Sequence, residues 1–246
     1  MKLAVFLLAG GGIRLKPYTN DIPKCLIPVN DQKLLIRMLD FLQIGGIEKV
    51  ILVIGYKGEK IQSLVGNNYG GMNIQYIHNK DWETTNNVVS LNLAVPNIKE
   101  DFILLEGDLI FTWDVFKNML LPDKIAVSNY KSYMDGTLVD LDKNGNVIEF
   151  ILKSNMSYKT DIHDLYKTVN IYSFNYSSFE KFIVPNLNNL IDSGQKQVYY
   201  EQAIAQAVSE NGYLLKAVNF NKTAWYEIDT EEDLKNAEKL FSNKTS

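Results

Sequence analysis

Residues 7–29 read Leu7-Leu8-Ala9-Gly10-Gly11-Gly12-Ile13-Arg14-Leu15-Lys16-Pro17-Tyr18-Thr19-Asn20-Asp21-Ile22-Pro23-Lys24-Cys25-Leu26-Ile27-Pro28-Val29. The apolar run Leu3 to Leu8 is short and ends in glycine, which predicts a buried strand feeding directly into a loop. Glycines after a strand let the backbone approach a ligand closely, and their amides can cradle phosphate oxygens. Arg14 and Lys24 place two cations beside that loop, the complement of a polyphosphate.

Two other glycine loops are excluded. A dinucleotide fingerprint starting at Gly10 needs glycine where Leu15 stands, and a Walker loop needs a closing Gly-Lys-Ser/Thr that is missing. The wider composition is that of an ordinary globular chain: 246 residues, 46% hydrophobic and 22% charged. A net charge of −4 without any Lys/Arg-rich run gives no footprint for nucleic acid. The single cysteine, Cys25, rules out an intrachain disulfide and fits a reducing, cytoplasmic setting. The first apolar run turns to glycine too soon for a signal peptide, and no stretch approaches the roughly 20 apolar residues of a membrane span. The Asn-x-Ser/Thr triplets, such as Asn155-Met156-Ser157, then carry no meaning.

Strands and helices alternate through the first half. Helices are expected at Lys33–Gly45, Glu59–Val65 and Asn87–Val95, and strands at Lys49–Gly55, Met72–His78 and Asp101–Leu105. That order with short loops predicts an α/β fold, a doubly wound, mixed but mostly parallel sheet. Further strands are expected at Ile125–Tyr130, Thr137–Leu141, Val147–Lys153, Thr168–Phe174 and Leu214–Phe220, with helices at Phe179–Ser193, Tyr199–Asn211 and Thr230–Phe241. With no linker, repeat or low-complexity segment, one domain is expected over 1–246, with residues 1–122 as a nucleotide-binding half and 123–246 as an acceptor-binding half.

Asp108 falls just past a predicted central strand, where ligands bind in open α/β sheets, and a carboxylate there suits Mg2+ bridging to phosphate. Glu227 and Asp229, two residues apart, would share one face of a strand. Thr230 is placed to cap the last helix, with Asp233 reaching back to it, so Glu227 and Asp229 read equally well as part of that cap. Asn86 and Asn87 offer side-chain amides that can read a pyrimidine edge, with a helix N-cap as the other use of Asn86. His78 and His163 form no ligand spacing with each other or with Cys25, and Trp82, Trp113 and Trp225 receive no role.

The segment 7–29 resembles the signature of the sugar-phosphate and phosphocholine nucleotidyltransferase superfamily: Leu-x-Ala-Gly-x-Gly-x-Arg-Leu, then Pro-x-Thr, then Pro-Lys-x-Leu. It is met by Leu7, Ala9, Gly10, Gly12, Arg14, Leu15, Pro17, Thr19, Pro23, Lys24 and Leu26. The resemblance implies a Rossmann-like fold in which Leu8, Ala9, Gly10, Gly11 and Gly12 bind nucleotide and Arg14 and Lys24 serve catalysis. Asn79, Asn86 and Asn87 would lie near base or ribose. Asp108 and Asp229, with Glu227 as a neighbour, would hold Mg2+. Glu227-Ile228-Asp229 and Asn86-Asn87 followed by Ser90-Leu91 resemble the cytidylyltransferase branch rather than the sugar enzymes. Asp135-Gly136-Thr137, Lys167 to Asn170 and Val198 to Glu201 resemble members acting on phosphocholine, 2-aminoethylphosphonate or phosphoglutamine. That implies acceptor contacts from Lys153, Lys167, Asn170, Tyr199, Tyr200 and Glu201, with CTP and a small phosphorylated acceptor as partners. A homodimer is compatible with this reading. A sugar-1-phosphate nucleotidyltransferase and a non-catalytic regulatory subunit of the same fold are the alternatives.

Overall fold

The computed structural model describes residues 1–152, 164–221 and 224–242. Its elements run β1 (Leu3–Leu8), β2 (Pro28–Val29), β3 (Gln32–Lys33), α1 (Leu34–Ile44), β4 (Lys49–Ile54), α2 (Gly58–Val65), β5 (Asn68–Tyr69), β6 (Met72–His78) and α3 (Asn87–Ala94). They continue as β7 (Phe102–Glu106), β8 (Leu109–Phe111), α4 (Trp113–Phe116), β9 (Lys124–Asn129), β10 (Leu138–Leu141), β11 (Val147–Ile151) and β12 (Tyr166–Phe174). The chain closes with α5 (Tyr176–Ser178), α6 (Val184–Asp192), α7 (Glu201–Asn211), β13 (Lys216–Asn219), β14 (Trp225–Glu227) and α8 (Glu231–Phe241). The expected elements are present with shifted ends. The largest shift at a functional segment is at α7, which begins at Glu201 and leaves Tyr199 in the preceding loop.

Ten of the described strands form one sheet. Its centre, β7-β1-β4-β6, is parallel in successive register, Leu3 opposite both Lys49 and Phe102. The sheet is mixed because β12 runs antiparallel to β7 and β5 antiparallel to β6. Parallel strands buried on both faces read as continuous apolar runs, and β1 has every residue buried. Two apolar layers enclose the sheet. One gathers Phe6, Leu39, Leu52 and Leu105 with α1 and α8; the other gathers Val5, Val53 and Leu104 with α3, α6 and α7.

Strand order places a switch point between β1 and β7, since the chain leaves β1 for β4 on one side and returns to β7 on the other. Open α/β sheets bind ligands at such a point, outside the carboxyl ends of the strands. Gly10 to Gly12 follow β1 and Gly107-Asp108 follow β7, so the two ends face one crevice.

The second half widens this crevice through β12. Residues Ile171 to Phe174 pair with β7, whereas Tyr166 and Lys167 pair with β10. The strand changes partner at Asn170, whose φ of 59° lies in the left-handed region that asparagine tolerates better than most residues. The register of β12 on β9 slips over the same residues. Pairing of β12 with β7 stops at Leu105, so Glu106 keeps Leu7 of β1 as its neighbour on one side only and lines the crevice. The short pair β8–β14, which the sequence pattern does not announce, fixes the last wall by setting Glu227 opposite Leu109.

Candidate active site

The crevice is a cleft of about 790 Å³, lined along one side by the glycine loop and along the other by β12, α7 and the end of β14. The loop is shaped by close contacts. Gly12 sits at φ 58°, and a Cβ there would lie 3.1 Å from Lys24 Cβ and 3.0 Å from Thr19 Cγ2. The Gly12 carbonyl accepts from Thr19 Oγ1 at 2.8 Å. Gly10 faces open space, with nothing within 4 Å of an added Cβ. Gly12→Ala is therefore expected to cost about 1–2 kcal/mol of stability through left-handed strain and crowding. Gly10→Ala should melt like the parent protein. Thermal denaturation of the two variants checks the contrast.

Tyr56 and Trp82 support this loop from beneath, and sequence reasoning missed the first and set the second aside. The Tyr56 hydroxyl donates to the carbonyls of Thr19 and Asn20, both at 2.9 Å. Its ring meets Trp82 edge-on at 5.3 Å, and Trp82 lies 3.1 Å from where a Gly11 Cβ would be. Nothing in the local pattern marks these aromatics, because they act through a long-range contact.

Lys24 is the hub of the charged end. Its Nζ donates to Asp108 Oδ2 at 2.8 Å and to Asp229 Oδ1 at 2.6 Å. Burial alone would lower its pKa, but the two carboxylates more than offset that and hold it above the ordinary lysine range. Asp229 Oδ1 also takes Arg14 at 2.8 Å, and the Arg14 side chain is 65% exposed at the mouth. Asp108 Oδ1 is buried without a hydrogen-bond partner. An enclosed, unsatisfied carboxylate oxygen beside a second carboxylate is a donor set that suits a hard cation. Cys25, next to Lys24, is buried, and burial pushes its thiol up to about 12, so it stays protonated.

The structure separates Glu227 from Asp229. The predicted cap is present: Thr230 Oγ1 accepts from the Asp233 amide, and Asp233 accepts from the Thr230 amide. Glu227 takes no part in it. Its carboxylate lies 3.4 Å from Lys167 Nζ and 3.4 Å from Asn170 Nδ2 and also feels the charges of Asp108, Asp229 and Lys24, so it stands between Lys167 and the Lys24 hub. Lys167 is 2% exposed; it donates to the Thr168 carbonyl at 2.7 Å, and Gly136 closes over it so tightly that a Cβ would sit 2.9 Å from its Cε.

Asn86 and Asn87 line the cleft, yet their amides are occupied within the protein. Asn86 Oδ1 accepts from the Asn87 amide at the start of α3, and Asn86 Nδ2 donates to the Gln197 carbonyl at 3.2 Å. Asn87 Nδ2 donates to Glu106 Oε1 at 3.1 Å, while Asn87 Oδ1 accepts from the Tyr200 amide at 2.9 Å. The pair ties α3 to the loop before α7, and both residues line the cleft as well.

Two expected contacts lie elsewhere. Asn79 is 2% exposed beneath the loop, bonded to Ser90, Thr85 and the Asp81 amide, and does not reach the cleft. Tyr200 is fully buried with its ring edge-on to Tyr172 at 5.7 Å, so its place is in the core. Leu8 lines the cleft, whereas Ala9 is buried behind it and its carbonyl accepts from the Tyr56 amide. Tyr199 and Glu201 do line the cleft, Tyr199 at 55% exposure and Glu201 at 5%. Glu201 Oε2 has no partner, and burial with the nearby charge of Glu227 pushes the carboxyl up to about 7 against the opposing pull of Lys167. Glu106, to which the sequence reading gives no role, also faces the cleft, and burial and the charges of Asp108, Glu201 and Glu227 raise its pKa well above the ordinary carboxyl range. Its signal was visible: a charged residue closing an apolar strand. Lys153 and His163 lie outside the described residues.

Known proteins are similar to this chain along most of its length. A relative from Streptomyces rubellomurinus, described as CMP-5'-(3-aminopropyl)phosphonate synthase, is 31% identical over 242 residues, 97% of this chain. A bifunctional protein GlmU from Methanococcus vannielii is 26% identical over 97% of the chain. The chain spans 38% of the length of the first and 54% of the second. A choline-phosphate cytidylyltransferase from Streptococcus pneumoniae is 26% identical, with 98% of this chain and 99% of that protein covered. A solved structure of CTP:phosphocholine cytidylyltransferase from Streptococcus pneumoniae superposes with a TM-score of 0.84 at 21% identity, covering 98% of this chain and all of that one, a likeness of fold. Among the described residues no helix is long and apolar enough to cross a membrane. The nucleotidyl transferase family model matches residues 3–244, and with that match the chain belongs to the nucleotidyl transferase family, in the company of cytidylyltransferases.

Proposed function

We propose that this protein transfers CMP from CTP to a small phosphate or phosphonate that carries an amine, releasing pyrophosphate. The observation that carries the reading is that one cleft is lined both by the glycine loop with Arg14 and Lys24 and by the carboxyls Glu106, Glu201 and Glu227. Triphosphate suits the first set and an ammonium group the second. The names of two relatives, an aminopropylphosphonate enzyme and a choline-phosphate enzyme, accord with such acceptors. The same reading makes CTP and the phosphorylated acceptor the partners and puts the work in the cytoplasm.

The chemistry needs no protein nucleophile. An acceptor oxygen, already anionic near neutral pH, attacks the α-phosphorus in line. The new O–P bond forms as the bond to the bridging oxygen breaks, and pyrophosphate departs with the electron pair. Catalysis is then positioning and charge neutralisation. The loop amides and Arg14 hold the β- and γ-phosphates. Lys24 releases its hold on the two carboxylates enough to lie against the α-phosphate. Asp108 and Asp229 would hold Mg2+, which when bound neutralises charge on the phosphate oxygens.

Lys167, Asn170 and Glu201 are the acceptor-side residues in this reading, with Tyr199 at the rim. Glu201 offers a carboxylate to an N–H donor, and among the described residues Tyr199 and the buried Tyr200 form no aromatic cage beside it, which ranks 2-aminoethylphosphonate and phosphoglutamine above phosphocholine. Pyrophosphate release is to be measured with each of the four NTPs and with these acceptors beside glucose 1-phosphate. CTP with an amine-bearing acceptor is expected to give the highest kcat/KM. Preference for glucose 1-phosphate would overturn the reading in favour of a sugar enzyme, and no turnover with any pair would favour a regulatory subunit.

A further inference from the structure

Residues 13–22 carry Arg14 from the glycine loop toward Lys24 without joining the sheet. Of these residues only Leu15 and Thr19 are buried. Their own backbone bonds are local: the amides of Leu15, Lys16 and Asn20 donate to the carbonyls of Gly12, Ile13 and Pro17. Among the described residues, one group reaches the backbone of this segment from elsewhere in the chain. The Tyr56 hydroxyl donates to the carbonyls of Thr19 and Asn20, both at 2.9 Å. The other ties are side-chain contacts near the surface. Arg14 meets Asp229, the Tyr18 hydroxyl lies 3.5 Å from Glu231 Oε1, and Lys57 Nζ lies 3.3 Å from Asp21 Oδ1. An exposed ion pair such as the last holds little.

Tyr56 is itself firmly based. It follows β4, which pairs with β1 along its whole length. Its amide donates to the Ala9 carbonyl at 3.0 Å, and Gly55 before it packs so closely that a Cβ would lie 2.7 Å from the Ala9 oxygen. The ring stands edge-on to Trp82, which in turn lies against Gly11. One phenol thus passes the order of the sheet to a segment that has no strand partner.

We propose that Tyr56 is a positioning residue for the nucleotide's phosphates: by holding the carbonyls of Thr19 and Asn20, its hydroxyl presets the segment that presents Arg14, with Trp82 backing the adjoining glycine. This role rests on the reading above, in which the glycine loop and Arg14 hold the outer phosphates, and deepens it by naming what shapes the loop. A segment already set in its bound course avoids the ordering entropy that a loose one loses at binding. The effect falls on binding rather than on chemistry, because Lys24 is fixed separately by Asp108 and Asp229.

Tyr56→Phe keeps the ring against Trp82 and removes the hydroxyl. KM for CTP is expected to rise about tenfold, the weight of one lost hydrogen bond, while kcat at saturating CTP and KM for the acceptor keep their parent values. Inhibition by inorganic tripolyphosphate, which carries the phosphates alone, should weaken by the same factor. Inhibition by cytidine, which carries none, should not change. Neither lost bond is fully buried, so the variant should melt close to the parent. Lys57→Ala, which removes the exposed tie to Asp21, should behave as the parent does. Hydrogen exchange needs no variant: in the free parent protein the Asn20 amide should already be protected, and in Tyr56→Phe it should exchange faster. Equal inhibition of parent and Tyr56→Phe by tripolyphosphate overturns the positioning role and leaves CMP transfer standing. So does a fall in kcat with KM for CTP unchanged, or an Asn20 amide protected only once tripolyphosphate is added. A parent protein that tripolyphosphate does not inhibit would overturn the phosphate-loop reading and this role with it.

Discussion

Lys24→Ala is expected to lower kcat by about 10²-fold or more, the scale seen when a group acting on transition-state charge is removed. Lys24 is 14% exposed at its side chain and is held by two carboxylates at 2.8 and 2.6 Å. Those bonds keep it cationic across the working pH range, so a full positive charge is at hand to set against the negative charge that the α-phosphate gains. Arg14 is different. It is mostly exposed at the mouth with Asp229 as its contact, which suits holding the outer phosphates. Arg14→Lys keeps the charge and loses the fork, so its effect should fall mainly on KM for the nucleotide. Truncating Lys24 also strips Asp108 of its ion pair and leaves Asp229 with Arg14 alone, and breaking a partly buried pair destabilises. A melting temperature that drops in the alanine variant and recovers in part with Mg2+ would show that a cation is wanted at that point. Steady-state kinetics with saturating CTP provides the check, and a kcat near the parent value would remove Lys24 from the mechanism.

The glycine loop and its cations were legible because they are local: a strand, three glycines and a lysine at fixed spacing are carried by one stretch of chain. The parallel core was legible for the same reason, since strands buried on both faces leave apolar runs that no other environment demands. The Thr230–Asp233 cap was also visible, being a contact over three residues. What escaped depends on partners distant in sequence. Tyr200 carries the same residue type as Tyr199, but the turn into α7 sends one ring into the core and the other into solvent. The bracing bonds of Asn87 were not legible, because Glu106 and Tyr200 are brought to it from 19 and 113 residues away. Glu227 and Asp229 were correctly placed on one segment, yet the segment turns between them and delivers one to Lys167 and the other to Lys24. Alternation along a strand predicts a shared face only while the strand continues, and β14 ends at Glu227.

Asp108→Asn and Asp229→Asn are expected to lower turnover by about 10³-fold each, and excess EDTA should do the same to the parent protein, because both carboxylates are assigned to hold Mg2+ against the phosphates. The two substitutions are not equivalent in the ligand-free protein. Asp108 contributes one oxygen to Lys24 and leaves the other buried and unpartnered, so asparagine weakens one ion pair while relieving an unsatisfied charge. Asp229 Oδ1 pairs with Lys24 and Arg14 together, so asparagine there weakens two ion pairs and should lower the melting temperature more than the change at Asp108. Titrating Mg2+ against thermal stability gives a readout independent of turnover: the parent protein should be stabilised, and each asparagine variant less so, because binding to the folded state alone raises apparent stability by mass action. Lost turnover together with lost Mg2+ stabilisation at both positions identifies the pair as the metal site. Full activity in EDTA, or undiminished stabilisation in both variants, overturns the assignment and leaves Lys24 and Arg14 to neutralise the phosphates alone.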